Sequence, residues 1–161
     1  MTEQPEIRIW ISATCSGAPG YGGWAWVMQW GGELRGQAGG ERRTTRERMG
    51  VAGLVAALQS VAADGAVPLS ILSANASLVR AAKALRVEAP SEDADLWNKA
   101  AAMLASRIGP VAIVLTTPAP GVKDRFTFVD AWAAFGLEKV KNTGAFTAAI
   151  PKSNLRNFPL A

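Results

Sequence analysis

Residues 6–12 alternate Ile7, Ile9 and Ile11 with Arg8, Trp10 and Ser12, a period of two that predicts a strand with one face turned inward. Gly17, Pro19, Gly20, Gly22 and Gly23 make a turn, and residues 24–30 read as a second strand. Gly31–Gly32 is a two-residue hairpin signal that returns the chain through a third strand at 34–38. Over 46–63 the period changes. Val51, Leu54, Val55, Leu58, Val61 and Ala62 fall on one helix face, with Gly65 as a C-terminal glycine. A short apolar strand at 69–73 and a helix at 76–85 follow. Pro90 breaks the chain. The acidic SEDAD segment then suits the positive end of a helix reaching Arg107, with Trp97, Ala100, Ala101, Leu104 and Ile108 inward. Residues 111–116 read as a fifth strand and 128–135 as a last helix.

This order predicts an α/β fold: a mixed five-stranded sheet, three antiparallel strands then parallel ones, with helices on both faces. Periodicity alone also allows other α/β sandwiches. One domain is expected over 1–135. The tail 136–161, with Gly144, Pro151 and Pro159, is expected to pack on it as irregular structure or to be partly disordered.

Composition narrows the chemistry. The 161 residues contain no histidine and one cysteine, Cys15. An imidazole base, a zinc site and an internal disulfide are therefore excluded, and serine, cysteine and histidine hydrolase mechanisms go with them. A single cysteine suits a reducing cytoplasm. The apolar runs IRIWI, VPLSIL and GPVAIVL are too short for a membrane span, and MTEQPEIR lacks the basic and apolar regions of a secretory signal. A cytoplasmic protein without membrane partners is expected. The net charge of +4 permits attraction to polyanions, and its distribution is uneven. Arg42, Arg43, Arg46 and Arg48 lie within seven residues, whereas Glu88, Glu92, Asp93 and Asp95 gather elsewhere.

Three stretches in this order, TCSGAPGYGGWAWVMQWGG, RRTTRERMGVAGLVAAL and LSANASLV, carry a resemblance to the bacterial type of ribonuclease H. DLWNKAAAML and DAWA resemble later helices of that family, so the resemblance runs from about Glu6 to Ala133. It implies the ribonuclease H fold and two-metal cleavage of the RNA strand of an RNA–DNA hybrid. That chemistry needs two divalent cations about 3.5–4 Å apart, held by anionic oxygens. At the positions where the resemblance implies acids, this chain has Ser12, Gly50, Asn75 and Asp130. Only Asp130 is a carboxylate, and one negative charge is a poor holder of two dications. At most weak metal binding, through Asn75 and Asp130, is expected. No magnesium or manganese cofactor is expected unless residual activity exists. The loop TTPAPGVKDR also lacks the histidine found there in many members.

The resemblance further implies a phosphate pocket using Arg43 and Thr45, extended here by Arg46 and Arg48 as candidate nucleic-acid contacts. The family's paired asparagines are replaced by Arg46 and Glu47, and its loop asparagine and later glutamine by Ala18 and Ser77. Trp24, Trp26 and Trp30 share a strand face and read as packing or partner contacts. The expectation is a catalytically inactive ribonuclease H-like binding or assembly module. It would act on a protein partner or a second copy of itself, or on RNA–DNA hybrid or duplex through phosphates. The alternative is residual metal-dependent hydrolysis of hybrids.

Overall fold

The computed structural model describes residues 5–17, 19–85, 90–116 and 125–159. Ala18, residues 86–89 and most of the TTPAPGVKDR loop lie outside these. Strand β1 (Ile7–Cys15) pairs antiparallel with β2 (Gly20–Trp30), which pairs antiparallel with β3 (Glu33–Thr44). Gly31, at φ 58°, makes the β2–β3 turn, a conformation that favours glycine. After α1 (Arg46–Ser60) and a 3-10 turn at Ala62–Asp64, β4 (Leu69–Ser73) lies parallel to β1. Helices α2 (Ala76–Lys83) and α3 (Ala94–Ala105) precede β5 (Val111–Leu115), parallel to β4. Helix α4 (Arg125–Thr143), β6 (Phe146–Ala149) and α5 (Lys152–Leu155) complete the chain. The sheet order is β5-β4-β1-β2-β3-β6. This is the α/β architecture that the periodicity predicts, with a sixth strand added at the edge.

Alternation in β1 sorts its side chains between two cores. Ile7, Ile9 and Ile11 join Trp24, Trp26, Met28, Leu54 and Leu58 beneath α1. Trp10 joins Val27, Phe126, Val129, Phe158 and Ile150 beneath α4 and the C-terminal segment. Trp24 and Trp26 are thus core residues, which leaves neither ring free for base stacking.

The chain past residue 135 is more regular than its residue pattern suggests. Helix α4 crosses position 136 because Phe126, Val129, Ala133, Leu137 and Val140 keep one buried stripe. Gly136 does not break the helix. A Cβ there would stand 2.3 Å from the carbonyl oxygen of Gly39, so glycine lets α4 lie directly on β3. β6 then pairs antiparallel with β3, Gln37 to Ala149 through Gly40 to Phe146. Two smaller expectations also change. Gly65 has φ −63° and is no left-handed cap, since α1 ends at Ser60 with its cap at Val61. Ile108 is 88% exposed because α3 ends three residues before it. Among the described residues no helix is long and apolar enough to cross a membrane.

Candidate functional site

Strand β4 ends at Ser73 opposite Ile11, while β1 runs on to Cys15 beside β2. Where the two strands part, a cleft of about 120 Å³ opens between α1, α2 and α4. Its lining includes Ser12, Gly50, Asn75 and Asp130, so four positions far apart in sequence share one site. Arg46, Ser73, Leu78 and Phe126 line it as well.

Local structure fixes what each position offers. Ser12 lies on the α4 side of β1, the parity of Trp10, and its hydroxyl donates to Asp130 Oδ1. Asn75 is the N-cap of α2, and its Oδ1 accepts the backbone N–H groups of Ser77 (3.1 Å) and Leu78 (3.3 Å). With Oδ1 committed, the Asn75 Nδ2 group turns towards α1, 3.9 Å from where a Cβ on Gly50 would stand. Asn75 therefore presents hydrogen-bond donors to the cleft. Gly50 contributes no side chain and leaves the flank of α1 open.

This donor set does not fit a pair of divalent cations. One carboxylate, already accepting from Ser12, faces a hydroxyl, an amide N–H₂ group and a bare glycine. Among the described residues no three His, Cys, Asp or Glu side chains converge in a way that could hold a metal ion. The charges of Arg46 and Asp130 cancel within the lining.

The arginine cluster divides into two kinds. Between β2 and β3 the register passes from Gly20–Thr44 to Gly22–Glu41, so Arg42 and Arg43 together face Tyr21 in a bulge. Arg42 Nε donates to the carbonyl of Val140 (3.4 Å). Arg43 and Arg46 are exposed and form no ion pair among the described residues. Thr45 caps α1, its Oγ1 accepting the Arg48 backbone N–H (3.1 Å), which leaves the hydroxyl proton available.

Arg48 must be taken out of the candidate phosphate set. Its guanidinium grips Asp95 with two bonds of 3.1 Å and also binds Asp93 (3.1 Å) and Glu41 (3.2 Å). The hydrogen bond to Asp95, foremost, raises the Arg48 pKa, and the same contact lowers that of the Asp95 carboxyl. Arg48 is a clasp joining β3, α1 and the start of α3. The acidic cluster around Asp93 and Asp95 is its counterpart, hidden in the sequence by a separation of more than forty residues. Arg107 plays a comparable part at the end of α1, donating to the carbonyls of Val61 (3.1 Å), Asp64 (3.0 Å) and Val67 (2.8 Å). Its burial lowers its pKa.

No family model matches the chain. A ribonuclease H of Hyphomonas neptunium is 34% identical over 71 residues, 44% of this chain and 47% of the relative. A ribonuclease H of Bradyrhizobium diazoefficiens is 36% identical over 61 residues, 38% of this chain and 40% of the relative. The chain thus spans under half the length of the curated relatives it matches. Likeness of fold extends further. The N-terminal RNase H domain of a Mycobacterium tuberculosis protein superposes with a TM-score of 0.71 at 18% identity, covering 86% of this chain and 98% of that one. LC11-RNase H1, solved in complex with an RNA/DNA hybrid, gives a TM-score of 0.70 at 16% identity, covering 84% and 99%.

Proposed function

We propose that this chain, which is similar to ribonucleases H over part of its length and has the same fold, binds nucleic-acid duplex through backbone phosphates and does not hydrolyse it. One juxtaposition carries this reading. The uncommitted cations Arg43 and Arg46 flank the capped N-terminus of α1, beside a cleft whose donors do not suit two metal ions. Helix N-termini and exposed guanidinium groups both favour phosphate. The hybrid complex of LC11-RNase H1 gives this duplex-binding reading a precedent on the same fold. Contacts of this kind place a duplex without reading its bases.

Fluorescence anisotropy with an RNA–DNA hybrid and a DNA duplex across a salt series tests the binding. Two phosphate contacts predict a log–log salt slope of about −2, and Arg43→Ala should reduce it by about one. Hydrolysis of the hybrid with magnesium or manganese is expected to stay at background. Turnover that disappears in Asp130→Asn would overturn the inactive reading. Absence of duplex binding at physiological salt, with a defined oligomer or protein complex instead, would transfer the function to protein assembly. The exposed apolar side chains Ile108, Val114 and Leu115 at and near the β5 edge offer a surface for that role.

A further inference from the structure

We infer that the cleft between Ser12, Gly50, Asn75 and Asp130 is itself a phosphate site, which takes a backbone phosphodiester directly and without a divalent cation. This rests on the duplex-binding reading above and assigns one contact within it. A two-metal centre joins carboxylates to a phosphate through cations, and both partners of that sandwich are anionic. Removing three of the four negative charges removes the need for the cations as well as the means of holding them.

The cleft has the donors that such a phosphate requires. Arg46 lines it, is exposed and forms no ion pair among the described residues. The Asn75 amide keeps its oxygen on the Ser77 and Leu78 N–H groups and so presents N–H₂ on the cleft side. Ser73 Oγ accepts the Asn75 backbone N–H (3.0 Å), which leaves its own proton free to donate. Gly50 adds no side chain to the α1 side of the lining. At about 120 Å³ the space holds several water molecules, room enough for a tetrahedral oxyanion. Asp130 is the one opposing charge, and the Ser12 hydroxyl offsets part of it.

Three substitutions distinguish this site from a metal site, because two should weaken binding and the third should tighten it. Anisotropy is measured with the full chain and an RNA–DNA hybrid in EDTA, and again with magnesium. The hybrid should bind in EDTA, and magnesium should not tighten it. Arg46→Ala should weaken binding about tenfold and reduce the salt slope by about one. Asn75→Asp keeps a good N-cap but replaces the amide donors with a carboxylate, so it should also weaken binding about tenfold. Asp130→Asn removes the opposing charge and should tighten binding several-fold. Thermal melts establish that each variant is folded. Binding that requires magnesium, or that weakens in Asp130→Asn, would overturn the cleft assignment and support a metal-bridged one. Binding lost in Arg43→Ala but unchanged in Arg46→Ala and Asn75→Asp would overturn it in favour of the Arg43 pocket alone. No hybrid binding under any condition would instead overturn the functional reading beneath it.

Discussion

Ser12 donates its hydroxyl to the carboxylate of Asp130, tying β1 to α4 within the lining of the cleft. The bond occupies the one acid of the site with a neutral neighbour. Asn75 is occupied in the same way by the backbone of α2.

Manganese should therefore leave the melting temperature of the native chain unchanged within about 1 °C at about 10 mM. The triple variant S12D/G50E/N75D places four carboxylates around the cleft. It should melt below the parent without metal, through mutual repulsion, and gain about 5–10 °C with manganese, since saturation near 100 Kd stabilises by about 2.7 kcal/mol. A thermal-shift titration of both proteins checks this. A manganese shift in the native chain would contradict it.

Two helical glycines should respond oppositely to alanine. At Gly50 a Cβ meets only ordinary contacts, Leu78 at 3.6 Å and 3.7 Å and Asn75 Nδ2 at 3.9 Å, so Gly50→Ala should stabilise by about 0.5–1 kcal/mol through helix propensity. At Gly136 the same methyl runs into the Gly39 carbonyl at 2.3 Å. Gly136→Ala should destabilise by about 1–3 kcal/mol despite the better helix former. Urea unfolding midpoints at equal m-values give the comparison.

The Arg48 clasp makes stability sensitive to acid. The Asp95 carboxyl is lowered from 3.8 by Arg48, so its contribution is present above that value and is lost as pH falls through the folded value. Arg48→Ala should lower stability only modestly at neutral pH, because Asp95 is exposed to solvent. It should also flatten the fall in stability as pH drops below 3.8. Denaturant midpoints of native and variant protein at several pH values test both effects, and parallel pH curves would count against the clasp.

The C-terminal segment should be part of the cooperative unit. Phe158 is buried against Trp10 (5.2 Å between centroids) and Phe128 (5.5 Å). Phe158→Ala should therefore cost about 3 kcal/mol or more in a single unfolding transition. A separate early transition, or no loss, would show that the segment folds independently.

Much of this molecule is legible locally. Ile7, Ile9 and Ile11 announce β1, the stripe from Val51 to Leu58 announces α1, and Gly31–Gly32 announces the hairpin, because each pattern repeats within a single element. Four of the positions lining the cleft, Ser12, Gly50, Asn75 and Asp130, were also readable, through the resemblance carried by the three stretches and by DAWA. The extent of α4 was not, because Gly136 reads as a breaker until Gly39 is seen beneath it. Nor was β6, four residues long, whose pairing depends on the open edge of β3.

The sequence by itself determined the order of the elements from β1 to β5 and the two-faced sheet, and it places neutral residues at Ser12, Gly50 and Asn75. These follow from residue type and short-range period. Tertiary structure alone decided that Arg48 is a clasp while Arg43 and Arg46 stay exposed, and that Asn75 turns donors towards the cleft. Whether a charge is spent or available depends on partners more than forty residues away, as Asp93 and Asp95 are from Arg48. Only the folded chain brings them within hydrogen-bonding distance.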